Sequence, residues 1–176
     1  MSPERDSWRP TFVLLTCEHG GCDVPKAYEH LFSDARSVLQ SHRGYDIGAL
    51  GVALRMASRI AAPIIFSTVT RLLIDLNRSL DRDDTFSEFT SGLPKAERER
   101  IADDYYHPHR NAVPRTLKAL LSAGHRVLHL GLHSCTDVLQ GQRRELDVSL
   151  LFDDSRPREQ EFARRYRDSI AAIRSD

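Results

Sequence analysis

The chain has 176 residues and a mass of 20.0 kDa, a size that suits one domain with a real core. Its 25 Lys+Arg balance its 25 Asp+Glu, and zero net charge excludes a general nucleic-acid binder and a polybasic membrane anchor. No apolar run approaches the ~20 residues that span a bilayer, and a charged fraction of 28% is that of an ordinary globular chain.

Residues 1–10 are polar with two prolines and predict a flexible arm; residues 11–176 read as one domain. Thr11–Cys17 is a short apolar run, too short for a signal-peptide core, that predicts a buried strand. It ends in the turn Glu18-His19-Gly20-Gly21. Lys26–Phe32 and Asp34–Gln40 predict short helices, and Ser41–Tyr45 a loop. Asp46 is placed to N-cap a helix running to about Ala61, with Ile47, Leu50, Leu54, Ala57 and Ala61 on its inner face. Pro63 ends that helix, Ile64–Thr68 predicts a second strand, and Arg71–Leu76 reads as another. Residues 77–94 form a polar stretch of a length that is functional or disordered when it occurs inside a domain. Lys95–Tyr106 predicts a charged helix. Pro108 bends or ends it, and a further helix runs to about Ala123, with Gly124 as C-cap. Val127–Leu132 alternates as a strand does, Leu146–Phe152 predicts one more, and Pro157 opens a last helix with Phe162, Tyr166 and Ile170 four residues apart. Alternating strands and helices favour an α/β sheet with helices on both faces. The sequence stops in a helix, which suggests that more chain once followed.

In an open α/β sheet, ligands bind beyond the carboxyl ends of the strands. One predicted strand ends in Glu18-His19-Gly20-Gly21 and a later one in His133-Ser134-Cys135, with Asp46 between them at a helix start. Two histidines and a carboxylate make a three-ligand set for catalytic zinc that leaves a position for water. Gly20 and Gly21 would let the backbone pass close to metal or substrate. Taken singly, each residue has a plainer reading: a strand-end histidine is an ordinary hydrogen-bonded loop residue, and Asp46 is an N-cap. Arg71 and Arg78 flank Asp75 and Asn77. Guanidinium forks suit a substrate carboxylate, but spacing alone favours an ion pair of Arg71 or Arg78 with Asp75. Residues 105–110 offer Tyr105, Tyr106, His107 and His109 as substrate contacts or as a packed helix kink. The acidic run at 81–84 lacks the features of a calcium loop. The three cysteines, Cys17, Cys22 and Cys135, are too few and too oddly spaced for a disulfide framework or a zinc knuckle, and point to a reducing cytoplasm. Cys17 or Cys135 beside a histidine would suit a thiol nucleophile, but packing beside the metal candidates is the simpler role.

The segments CEHGGCDVP (17–25), SHRGYDIGAL (41–50), STVTRLLIDLNRS (67–79), FSEFTSGLP (86–94), VLHLGLHSCTDVLQG (127–141) and RRELDVSLLFD (143–153) occur in one order. In them the chain resembles the N-formylglutamate amidohydrolase family. The resemblance implies a three-layer α/β/α, phosphorylase/hydrolase-like fold with a mixed central sheet, shared with zinc carboxypeptidases and zinc amidases. It implies one zinc ion on His19, Asp46 and His133. The DLNR string assigns Asn77 and Arg78, with Arg71 and Ser134, to the glutamate moiety of a small anionic N-acyl amino acid. The implied reaction, of the kind found in histidine degradation, converts N-formyl-L-glutamate to L-glutamate and formate. Glu18 and Glu88 are the acids expected to move protons. Cys22 stands where the family usually has Asn, and Cys135 follows His133-Ser134. Family members continue beyond this end, so the domain is expected to lack its C-terminal part. The alternatives are a zinc amidase for another N-acyl amino acid or a cell-wall amide, and a degenerate binding protein of the same fold. No nucleic-acid or membrane partner is expected, and the oligomeric state stays open.

Overall fold

Phe12–Cys17 is apolar throughout, and Leu14, Leu15, Thr16 and Cys17 are wholly buried. A run buried on both faces fits the middle of a parallel sheet, and this strand, β1, is the centre of the sheet β2-β1-β3 in the computed structural model, which describes residues 12–139 and 141–174. The arm expected over residues 1–10 lies outside the described residues. β2 (Ile64–Phe66) pairs parallel with β1 from Leu15↔Ile64 to Cys17↔Phe66. β3 (Val127–Gly131) pairs parallel on the other edge from Phe12↔Val127 to Thr16↔Gly131. All three strands therefore end on the same side, where Glu18, Ser67 and Leu132 begin their loops. The mixed sheet expected from the sequence is replaced by three parallel strands. The antiparallel pairing lies in a separate ribbon, β4 (Val138–Leu139) with β5 (Gln142–Arg143).

The chain packs as two compact units, one within Arg9–Cys135 and one within Thr136–Asp176. In the first, α1 (Arg36–Leu39) follows a 3-10 turn at Lys26–Phe32. α2 (Ala49–Ile60) packs on β1 and β2. Its buried stripe is Ala49, Ala53 and Ala57, four residues apart, whereas Ile47 and Leu54 are about half exposed. Of the expected inner face, Ala57 is buried and Leu50 packs against the core, while Ile47 and Leu54 turn outward and the alanines let the helix approach Cys17 and Ile64 closely. The helix begins at Gly48 with φ +81, and Asp46 makes no cap bond. Its carboxylate is turned elsewhere.

Arg71–Leu76 is no strand. It runs in tight turns while burying Leu72, Leu73, Ile74 and Leu76 in a cluster with Tyr28, Phe32, Ile101 and Tyr106. The polar stretch that follows is bound to it: the Ser87 hydroxyl donates to Leu72 O and the Thr90 hydroxyl to Leu73 O. Burial here reflects turns folded over a core, which a short apolar run cannot distinguish from a strand. α3 (Lys95–Ile101) passes through a wide π turn, Ala102–Tyr106, into α4 (His107–Ser122), so Pro108 sits in the first turn of α4 without breaking the helix. α4 closes with two main-chain bonds, His125 N to Leu120 O and Gly124 N to Leu121 O, around Gly124 at φ +82.

In the second unit, α5 (Pro157–Arg174) stacks Phe162 on Tyr166 with ring centroids 5.5 Å apart. Leu146–Phe152, expected as a strand, has no hydrogen-bonded neighbour strand among the described residues, and Leu151 is 95% exposed. Alternation of apolar residues makes a strand only where a partner supplies the ladder. No helix among the described residues is long and apolar enough to cross a membrane.

Candidate metal centre

Main-chain bonds knit the loops at the strand ends before any side chain is considered. Asp46 N donates to His19 O, Arg71 N to Gly44 O, Gly20 N to Ser67 O, and Leu132 N to Thr16 O. The glycines of the first loop permit this knitting. A Cβ on Gly20 would stand 2.8 Å from Ser67 O, and one on Gly21 2.7 Å from Thr68 O.

On this frame His19 is 2% exposed and Asp46 4% exposed, while His133 lies at the open side. One ligand atom from each lies within 4.8 Å of the others. His19 Nδ1 is 3.5 Å and His133 Nδ1 2.8 Å from the same oxygen, Asp46 Oδ2. His19 Nδ1 is buried without a hydrogen-bond partner. A buried polar atom left alone costs about 1–3 kcal/mol, and this one lies within reach of two further ligand atoms, which makes the three residues a candidate cation site. An imidazole pair with one carboxylate is also the donor set of catalytic zinc.

Behind His19 stands Asp75, which is 4% exposed. His19 Nε2 donates to Asp75 Oδ1 at 2.8 Å, and Asn77 N donates to the same oxygen at 2.9 Å. Asp75 Oδ2 accepts from Arg71 Nη2 at 2.7 Å and Nε at 3.2 Å, with Arg78 Nε at 3.3 Å. Burial alone would push the Asp75 carboxyl up, but His19 and Arg71 hold it well below the usual carboxylate range. An ionised carboxylate only accepts, so the His19 proton sits on Nε2 and Nδ1 keeps its lone pair for the site. Burial opposes charge on His19 as well, yet Asp46 and Asp75 raise its affinity for a proton. Asp46 is held low despite burial by its bonds with His133 and His19.

Glu18 is 8% exposed. Its Oε2 lies 3.4 Å from His133 Nε2, and its Oε1 3.8 Å from Nε2 of the buried His109 on α4. Burial raises its carboxyl, but His109 and Thr16 pull it down to about 2. The structure therefore gathers Glu18, His19, Asp46, Arg71, Arg78 and His133 from the sequence reading. The expected Arg–Asp75 ion pair is present, but as a half-buried support under His19 and not as a surface bridge. Three Arg71 nitrogens face Asp75 or Asp46. Arg78 adds Nη1 to Asp84 O, while its Nη2 has no partner among the described residues. Asn77 and Ser134 are exposed beside these groups in sequence. Glu88 is exposed and pairs with Arg43. Cys17 is buried and its thiol is pushed up to about 11, chiefly by that burial, which suits packing and not nucleophilic attack. Sequence reasoning missed Asp75 as the partner of His19, and His109 as the partner of Glu18. The signal for the first was the carboxylate of the DLNR string itself; for the second, a histidine one residue past a helix-start proline.

Residues 11–173 match the N-formylglutamate amidohydrolase family. Among solved structures the chain is similar to the crystal structure of gene product Atu2144 from Agrobacterium tumefaciens. The TM-score is 0.70 at 30% identity, over 76% of this chain and 56% of that one. The chain thus spans little more than half the length of that neighbour. No curated protein matches it.

Proposed function

The chain belongs to the N-formylglutamate amidohydrolase family, and on that premise we propose that it hydrolyses the formamide bond of N-formyl-L-glutamate to L-glutamate and formate with one bound divalent ion, zinc. The observation that carries this reading is the convergence of His19 Nδ1 and His133 Nδ1 on Asp46 Oδ2, with the buried His19 Nδ1 lacking any other partner. His19, Asp46 and His133 would hold the ion, which when bound supplies an acidic water and a Lewis acid for the formyl oxygen.

The protein's own groups do the rest. Asp75 fixes the tautomer and the angle of His19. Arg78, with Nη2 uncommitted and its side chain 33% exposed, takes a substrate carboxylate. Arg71, committed to Asp75 and Asp46, steadies both acids from beneath. The side chains of Asn77 and Ser134 add polar contacts at the rim. The expectation that Glu18 and Glu88 move protons is not carried into this reading. Glu18 faces His133 and His109, and Glu88 is engaged by Arg43. A three-layer, zinc-carboxypeptidase-like arrangement and a cytoplasmic setting with reduced thiols belong to the same proposal.

The test is formate release from a panel of N-acyl amino acids, with and without chelator, beside metal analysis. Zinc in the purified protein and chelator-sensitive formate release from N-formylglutamate are expected. Preference for another acyl group would move the assignment to a related amidase. Absence of both metal and activity would leave a degenerate binding protein. Arg78→Ala should raise KM for N-formylglutamate far more than it lowers kcat, and unchanged kinetics would remove Arg78 from the substrate site.

A further inference from the structure

The two histidines of the site are supported unequally. The outer nitrogen of His19 meets Asp75 at 2.8 Å, and Asp75 is itself held by Asn77 N, Arg71 and Arg78. Among the described residues the outer nitrogen of His133 meets Glu18 Oε2 alone, at 3.4 Å, and that oxygen has no hydrogen-bond partner there. Facing the other Glu18 oxygen is the imidazole of His109, at 3.8 Å, 8% exposed and with its Nε2 also lacking a hydrogen bond among the described residues. Glu18 Oε2, toward His133, and His109 Nε2, toward Glu18 Oε1, are both buried without hydrogen bonds among the described residues, and so ask for a purpose.

The helix supplies a reason for His109 being there. The chain passes without a break from the wide turn Ala102–Tyr106 into α4. Ala102, Tyr106 and His109, spaced i, i+4 and i+7, are buried, and α4 packs on β1, the strand that leads into Glu18.

We propose that His109 is a positioning residue for the metal site, setting the Glu18 carboxylate so that Glu18 in turn orients the ring of His133. The proposal rests on the metal-dependent reading given above. His133 is the more exposed of the two histidine ligands, so its ring has the most freedom to lose. An N–H donor on His109 directed at Glu18 Oε1 leaves Oε2 for His133 Nε2–H, and His133 Nδ1 then points at the site as His19 Nδ1 does. Outer partners of this kind change metal affinity by about 10–100-fold when removed.

The experiment measures zinc affinity of the whole chain by competition with a chromophoric chelator, and the His133 ring signals of the metal-free protein by NMR. His109→Leu should weaken zinc binding by about 10–100-fold and broaden the His133 signals by exchange, with the helical circular dichroism retained. His109→Gln, whose amide N–H reaches about as far as Nε2, should restore most of the affinity. Wild-type affinity and sharp signals in His109→Leu would overturn the proposal, as would a His109→Gln as weak as His109→Leu, since packing alone would then explain the loss. Should His109→Leu fail to fold, Glu18→Gln tests the same link, and an unchanged affinity there overturns it. A wild-type chain that binds no zinc would sink the proposed function, while the His133 signals of the variants still decide the role of His109.

Discussion

Replacing Asp75 by asparagine keeps the shape of the side chain and removes its charge. The amide oxygen can still accept from His19 Nε2 and Asn77 N, but the amide nitrogen would then face the N–H groups of Arg71 and Arg78, where Oδ2 now accepts at 2.7–3.3 Å. Breaking a buried ion pair costs about 3–5 kcal/mol. The guanidinium side chains are 26% and 33% exposed, so water compensates part of the loss and about 3 kcal/mol is the reasonable figure. At about 2–4 °C per kcal/mol for a chain of this size, the metal-free melting temperature should fall by roughly 6–12 °C. Zinc affinity should fall as well, by about 10–100-fold, because His19 no longer faces a full negative charge at its outer nitrogen. Thermal melts by circular dichroism and chelator competition measure the two effects separately. An Asp75→Asn chain that melts within about 2 °C of wild type and binds zinc equally well would refute the reasoning that this carboxylate supports the site.

Two further predictions concern pH and backbone. Asp46, Asp75 and Glu18 all have carboxyls held below their ordinary values, so the folded chain binds fewer protons than the unfolded one. Their stabilisation is complete above about pH 4 and is lost as pH falls through the folded values, about 2 for Glu18. Denaturant titrations of the metal-free chain from pH 6 downward should show the decline, and a flat profile would contradict it. His19 has the opposite sign: its raised pKa stabilises below about pH 6.5 and fades as pH rises through the folded value. The same proton competes with zinc, so affinity should weaken on acidification. Gly21→Ala drives a Cβ to 2.7 Å from Thr68 O and should destabilise by about 1–3 kcal/mol, read as a lower melting temperature; an unshifted melt would mean the loop yields freely.

The strands of the sheet were legible because β1 and β3 announce themselves by apolar runs ending at histidines, and the chemistry sits where the chain leaves those strands. His19, Asp46 and His133 could be named together for that reason. The face of α2 was legible only in part: Leu50 and Ala57 pack inward as expected, but Ile47 and Leu54 are exposed and the small Ala49 and Ala53 take the inner positions, where large apolar residues usually stand. Arg71–Leu76 misled because burial without periodicity does not separate a strand from turns laid over a core. Leu146–Phe152 misled because a strand is a property of two segments and the sequence displays one. The Asp75–His19 bond was invisible since spacing suggested an arginine partner for Asp75, and the structure gives that carboxylate both kinds of partner at once. His109 meets Glu18 from a different element, and spacing along one helix does not say which strand end that helix faces.

The candidate ligands are distant along the chain: 87 positions separate Asp46 from His133, and 56 separate His19 from its support Asp75. Contacts of such range form only when the parallel sheet closes, and closing long loops is the slow, entropically costly part of folding. An unfolded chain therefore offers no comparable site, and an ion that binds the folded state alone adds about 2.7 kcal/mol to stability at a free concentration 100 times its dissociation constant. On the metal-dependent reading proposed above, the melting temperature should rise with free zinc concentration, so that one ion would couple the folding equilibrium to the loading of the site.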